Sequence, residues 1–105
     1  MQPDPEKLKE LVRRIVDAVD PLRIILFGSA VRGEMTKDSD VDVLVVMPDG
    51  THRLDTMGYL HTKLIGLGLA VDFIIATPCD LERHRETVGY IYKTVRNEGQ
   101  DLYAA

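Results

Sequence analysis

A glycine-serine turn and three aspartates are the residues of this sequence whose types and spacing could do chemistry. The turn, Gly-Ser-Ala-Val-Arg-Gly at 28–33, directly follows the apolar run 24–27. Such a turn points backbone N–H groups and a hydroxyl at the space in front of it, which suits a phosphate group. Gly28 and Ser29 alone are weak evidence, because glycine-serine pairs also end ordinary strands and cap helices.

Asp40 and Asp42 stand at the entrance to a second apolar run, 41–47. Residues two apart on a strand point to the same side, so these carboxylates form a pair. Close carboxylates repel each other unless a cation lies between them, and hard oxygen ligands suit Mg²⁺. The alternative is that both are solvated, within an acidic surface that includes Glu34 and Asp38.

Asp72 lies inside a third apolar run, 70–76, which predicts a buried strand. A buried carboxylate is costly unless it is paired or binds a metal. The aspartates converge on Gly28 if the end of the first strand meets the starts of the second and third. That geometry makes strands one and two antiparallel and strands two and three parallel, with a crossover helix within 51–67. The alternative is that Asp72 is hydrogen-bonded to the backbone or paired with an arginine.

Helices must position these strands. Asp4 and Pro5 begin an amphipathic helix that Pro21 stops, and a last helix is predicted from Pro78 to a stop at Gly99. The apolar face of that last helix is predicted to hold Val88, Ile91, Tyr92 and Val95. The predicted order is helix, strand, short helix, strand, helix, strand, helix. We expect an α+β fold in which helices cover a small mixed sheet.

Length and composition limit the functions that this chain can have. The 105 residues, 45% hydrophobic and 29% charged, predict a single globular domain over 1–105. A net charge of −4 lacks the positive field that attracts long nucleic acid. Cys79 is the sole cysteine, which excludes an internal disulfide. No apolar run is long enough to span a membrane and no signal peptide opens the chain, so we expect a cytoplasmic protein.

The whole pattern resembles a known family. Residues 28–33, then Ser-Asp-Val-Asp-Val-Leu-Val-Val at 39–46, then Asp72 on the next strand, are similar to the minimal nucleotidyltransferase family of the DNA polymerase β superfamily. The resemblance implies a polymerase β palm-like catalytic domain. Such a domain binds a nucleoside triphosphate with Mg²⁺ and transfers the nucleotidyl group to a hydroxyl, releasing pyrophosphate.

The resemblance also implies roles for individual residues. Asp40, Asp42 and Asp72 are the implied catalytic residues and metal ligands, with Asp72 also helping to deprotonate the acceptor. Two Mg²⁺ ions about 4 Å apart would suit such a set of carboxylates. Gly28 and Ser29 would hold the triphosphate of ATP.

Two more residues are candidates for phosphate binding. Arg32 could add positive charge near the phosphates, or it could be an ordinary arginine on a surface helix. Ser39 flanks the site and could touch phosphate, although an ordinary loop residue is the favoured reading.

The acceptor hydroxyl is the least determined part of the reaction. The chain has no evident second domain to hold it, so a partner chain or a homodimer would be needed. Family members are often paired with a small all-helical toxin-like ribonuclease, which implies AMP transfer from ATP to a tyrosine of that partner. The alternatives are a small-molecule adenylyltransferase that acts as a dimer, and an antitoxin that blocks its partner by binding alone.

Overall fold

The structure, a computed structural model, describes residues 3–36, 40–83, 95 and 98–105. Its elements are α1 (Pro5–Val19), β1 (Arg23–Phe27), α2 (Ser29–Arg32), β2 (Val41–Val46), α3 (Arg53–Lys63), β3 (Val71–Ala76), α4 (Pro78–Arg83) and β4 (Gln100–Ala104). No helix within the described ranges is long and apolar enough to cross a membrane.

The strands form one mixed sheet in the order β3-β2-β1-β4. β1 runs antiparallel to β2 and to β4, whereas β2 and β3 are parallel. Parallel neighbours need a crossover connection, and α3 supplies it. The predicted mixed sheet, with antiparallel strands one and two and parallel strands two and three, is confirmed. This arrangement brings the end of β1 to the starts of β2 and β3.

Alternation along β2 divides its side chains between two hydrophobic clusters. Val41, Val43 and Val45 pack in the cluster that also contains Leu11 of α1 and Leu60 of α3. The second cluster holds the side chains that point the other way, and its buried members are Ile25, Phe27, Leu44, Val46, Ala76 and Val95. Both faces of the sheet are therefore covered, which holds the strand ends in fixed positions.

The first helix forms as the sequence predicts. Asp4 caps α1, because its carboxylate accepts a hydrogen bond from the Glu6 N–H at 2.9 Å. Pro5 occupies the first turn, where a missing N–H costs nothing. The apolar face of α1 then buries Leu11 and Ile15 completely against the sheet.

The predicted order of elements is wrong at its end, because a fourth strand follows the last helix. β4 pairs with β1 along Gln100–Ala104, where the sequence analysis expected no strand. Its signal is weak because β4 is an edge strand without a fully buried residue, so its side chains do not alternate in polarity. Gly99 does stop helical structure as predicted: its N–H bonds to the carbonyl of helical Val95 at 2.7 Å.

The last predicted helix can be followed only in part. α4 begins at Pro78 as predicted, and Val95 is helical and buried in the second cluster. Val88, Ile91 and Tyr92 lie outside the described residues.

Candidate active site

The three aspartates meet at one end of the sheet, on the face of the second hydrophobic cluster. Asp42 follows Val41 and precedes Val43, so alternation places it on the same face as Leu44 and Val46. In the sheet register Asp42 lies opposite Phe27 of β1 on one side and opposite Asp72 of β3 on the other. Neighbouring strands are about 4.8 Å apart, so the two carboxylates are held as neighbours by the backbone itself.

Gly28 lies against the Asp42 carboxylate at this end of the sheet. It has φ 78° and ψ −151°, a conformation open essentially to glycine alone. A Cβ atom at this position would overlap the Oδ2 atom of Asp42. The turn thus brings bare backbone against the Asp42 carboxylate, and α2 starts immediately afterwards at the half-buried Ser29. The structure therefore brings the turn together with Asp42, and Asp72 lies beside Asp42 in the sheet register.

The electrostatics of the cluster centre on Asp42. Burial raises the pKa of this carboxyl above its ordinary value, and repulsion by Asp72 and then by Asp40 adds to the rise. The charge of Arg32 acts in the opposite direction without cancelling it. An ionised Asp42 therefore lies in an environment with an excess of negative charge, which a bound cation would relieve.

Asp72 is exposed, and the expectation that it is buried is wrong. β3 is the edge strand of the sheet, and Asp72 is its second residue, so the side chain stands at the rim. Asp40 is exposed as well and precedes the first residue of β2. The site is therefore one partly buried carboxylate, that of Asp42, between two that are open to solvent.

Arg32 lies at the end of α2 and is engaged by two carboxylates. Its Nε donates to Glu34, and its Nη1 donates to Glu98 at 2.6 Å. The hydrogen bond that Arg32 donates to Glu34 is the main reason that the pKa of Arg32 is raised, with a smaller contribution from Glu98. Glu98 was not predicted to be part of the site. It lies 66 positions after Arg32, and the strand β4 that follows it was not predicted.

Ser39, the remaining candidate for phosphate binding, lies outside the described residues, as does Asp38 of the predicted acidic surface. Glu34 of that surface is turned toward Arg32.

Asp42 and Asp72, which face each other across β2 and β3, are candidate metal ligands of the site. Within the ranges that the structure describes, no three Asp, Glu, His or Cys side chains are placed so that they could hold one ion together. Mg²⁺ commonly takes only one or two protein carboxylates and completes its shell with water and substrate phosphate oxygens. A pair of facing carboxylates with unrelieved repulsion fits that manner of binding.

A mixed sheet with a glycine turn facing aspartates on two parallel strands defines a nucleotidyltransferase. The chain belongs to the nucleotidyltransferase domain family, whose sequence pattern matches residues 6–102. Its enzyme class follows from that membership, and the resemblance stated from the sequence is confirmed.

Similar proteins support the same class. A protein of Methanocaldococcus jannaschii, with the provisional name protein adenylyltransferase MJ0604, is 34% identical over 83 residues, which are 77% of each chain. A crystal structure of a variant of the toxin-antitoxin MntA-HpeT superposes with a TM-score of 0.65 at 18% identity, covering 93% of this chain and 73% of that one. A crystal structure of a toxin-antitoxin with AMP-PNP has a TM-score of 0.55 at 23% identity, covering 95% and 73%. At these identities the two crystal structures show the likeness of fold.

Gly28→Ala should destabilise the fold and distort the site. A side chain in this backbone conformation costs about 1–3 kcal/mol, and the added methyl group would also displace the Asp42 carboxylate. The free energy of unfolding is measured by denaturant titration. Gly66→Ala is the matched control, since Gly66 has φ 81° and nothing within 4 Å of an added Cβ. If the overlap matters, Asp42→Ala should recover part of the loss in the Gly28→Ala background, and an unchanged loss would contradict this.

Asp42→Asn should make the protein more resistant to thermal unfolding at about pH 7. With a raised pKa, Asp42 contributes stability that is fully present below its unfolded-state pKa and is lost as pH rises through the folded-state value. The stability gained by the Asn variant should therefore grow with pH and vanish at acidic pH. Melting temperatures across that pH range test this, with Asp20→Asn at the opposite end of β1 as control. A fall in stability at every pH would make Asp42 a structural residue.

Proposed function

We propose that this chain transfers AMP from ATP to a hydroxyl group of a partner protein in a reaction that requires Mg²⁺. The observation that carries the proposal is the position of Asp42, which faces the bare backbone of Gly28 and is repelled by Asp72 and Asp40. A triphosphate with its divalent ions would supply the missing positive charge at this point. The relative named as a protein adenylyltransferase supports the choice of reaction.

The residues of the site have separate proposed roles, some in binding Mg²⁺ and ATP and one in the chemical step. Asp40 and Asp42 would hold Mg²⁺, and Asp72 would contribute to a second ion. Bound Mg²⁺ supplies positive charge to the attacking and the leaving oxygens during displacement at phosphorus. Gly28 and Ser29 would bind the triphosphate, since a glycine allows phosphate oxygens to approach the backbone closely. Arg32 and Ser39 are the proposed further contacts to phosphate.

Asp72 is the residue proposed to act on the acceptor. In the reaction the acceptor oxygen bonds to the α-phosphorus, the bond to pyrophosphate breaks, and the hydroxyl proton passes to a base. Asp72 stands exposed on the edge strand beside Asp42, where an acceptor from outside the chain can reach it. A carboxylate in this position can accept the proton while the developing charge is neutralised at the phosphate.

The proposed acceptor is a tyrosine of a toxin-like partner. An exposed rim formed by Asp40 and Asp72 leaves the acceptor side of the site open to another molecule. Its acidic character favours a partner with a basic surface, such as a protein that binds nucleic acid. Two crystal structures with the same fold are described as toxin-antitoxins, which supports a partner of this kind.

Variants of the aspartates should separate nucleotide binding from transfer. ATP should bind in the presence of Mg²⁺ and lose most of its affinity in chelator or in the double variant Asp40→Asn, Asp42→Asn. Asp72→Asn should keep most of the affinity while the transfer rate falls by about 10²–10⁴. Calorimetric titration measures the affinity, and intact-mass analysis of the acceptor measures transfer. Equal losses of both in Asp72→Asn would make Asp72 mainly a metal ligand.

A partner protein should gain the mass of AMP groups on tyrosine. The test is co-expression with the protein encoded next to this one, followed by incubation with ATP and Mg²⁺ and mass analysis, with Asp42→Asn as the inactive control. Adenylylation of a small-molecule hydroxyl with no change in any protein would favour the small-molecule enzyme. A stable complex that neutralises the partner equally well with Asp42→Asn would favour an antitoxin that acts by binding.

A further inference from the structure

The ion pair between Arg32 and Glu98 connects the site to the residues that directly precede β4. Arg32 ends the four-residue helix α2, and 45% of its side chain is exposed, so α2 alone cannot fix the position of the guanidinium. The charge of Arg32 nevertheless acts on Asp42. Something outside α2 must therefore hold the guanidinium on that side of the site.

Glu34 is poorly suited to that role. It lies only two residues beyond Arg32, after the left-handed cap at Gly33, and 59% of its side chain is exposed. A carboxylate on the same short loop moves together with the arginine that it binds. Glu34 can neutralise Arg32, but it does not tie Arg32 to the sheet.

Glu98 is fixed to the framework from both sides. On one side Val95, three positions earlier and also helical, is buried in the second hydrophobic cluster. On the other side Gly99 bonds to the Val95 carbonyl and lies so close to Ile25 of β1 that an added Cβ would be 2.7 Å from the Ile25 methyl group. β4 then pairs with β1, the strand that ends in the Gly28 turn. The Glu98 carboxylate and the Gly28 turn thus share one rigid support.

We infer that Glu98 is a positioning residue that holds the Arg32 guanidinium toward the nucleotide site. The inference rests on the proposed function for the identity of the nucleotide. The bonds to Glu34 and Glu98 use Nε and Nη1 of Arg32, so Nη2 is not needed for either of them. An arginine held through Nε and Nη1 by two different carboxylates can present its Nη2 donors to a phosphate oxygen with little further loss of conformational freedom.

Glu98→Gln should reduce the affinity for ATP with Mg²⁺ by about threefold to tenfold, because the neutral side chain holds Arg32 less firmly. Arg32→Gln should lose on the order of tenfold or more, and Glu98→Gln should add nothing in that background. Glu98→Asp, which keeps the charge, should recover part of the affinity. Calorimetric titration gives these values. The control is Asp101→Asn, which breaks the 2.7 Å ion pair between Asp101 of β4 and Arg23 of β1 and should leave ATP affinity unchanged.

A second measurement needs no nucleotide. NMR relaxation of the Arg32 Nε–H group should show an ordered side chain in the parent and in Asp101→Asn, and a lower order parameter in Glu98→Gln. Unchanged order in Glu98→Gln, or additive losses of affinity in the double variant, would overturn the inference. If the parent does not bind ATP, the proposed function fails, while the order of Arg32 still decides whether Glu98 positions it.

Discussion

The crowding of negative charge around Asp42 is the constraint on which the rest of the site depends. Asp42 is partly buried between β1 and β3 and faces the carboxylate of Asp72 in the sheet register. Burial raises the pKa of Asp42, and repulsion by Asp72 raises it further. Among the described residues, the charge of Arg32 does not offset this rise in the pKa. The residues around Asp42 give it access and leave room, most clearly at Gly28, where a side chain would occupy the position of the Asp42 carboxylate.

The mixed sheet makes this arrangement possible. In an antiparallel pair the end of one strand meets the start of the next, so β1 delivers the Gly28 turn to the start of β2. The parallel pairing of β2 with β3 then places Asp72 beside Asp42 in register. Neither pairing alone would bring the turn and both aspartates together. Hydrophobic clusters on both faces of the sheet hold this alignment without help from the charged residues.

Much of this could be predicted from the sequence because the central strands have strong local signals. Apolar runs ended by glycine or proline define β1 and β2, and a third apolar run defines β3. The exposed state of Asp72 was missed because an apolar run does not reveal which strand lies at an edge. β4 was missed for a related reason, since its five residues pair through their backbone and bury little. With β4 unknown, the contact from Glu98 to Arg32 could not be foreseen.

The ion pairs that Arg32 forms bear on why nucleotide binding at this site is expected to need a cation. Among the described residues that act on the pKa of Asp42, Arg32 is the cation, yet its charge is shared with Glu34 and Glu98. The effect of Arg32 on Asp42 is smaller than those of burial and of the two neighbouring aspartates, so the pKa of Asp42 stays raised. Among the described residues this rise is therefore not compensated, and a cation bound from solution could compensate it. A triphosphate alone would add to the repulsion, whereas divalent ions bound with it would reduce the repulsion, so the proposed nucleotide binding would depend on the metal.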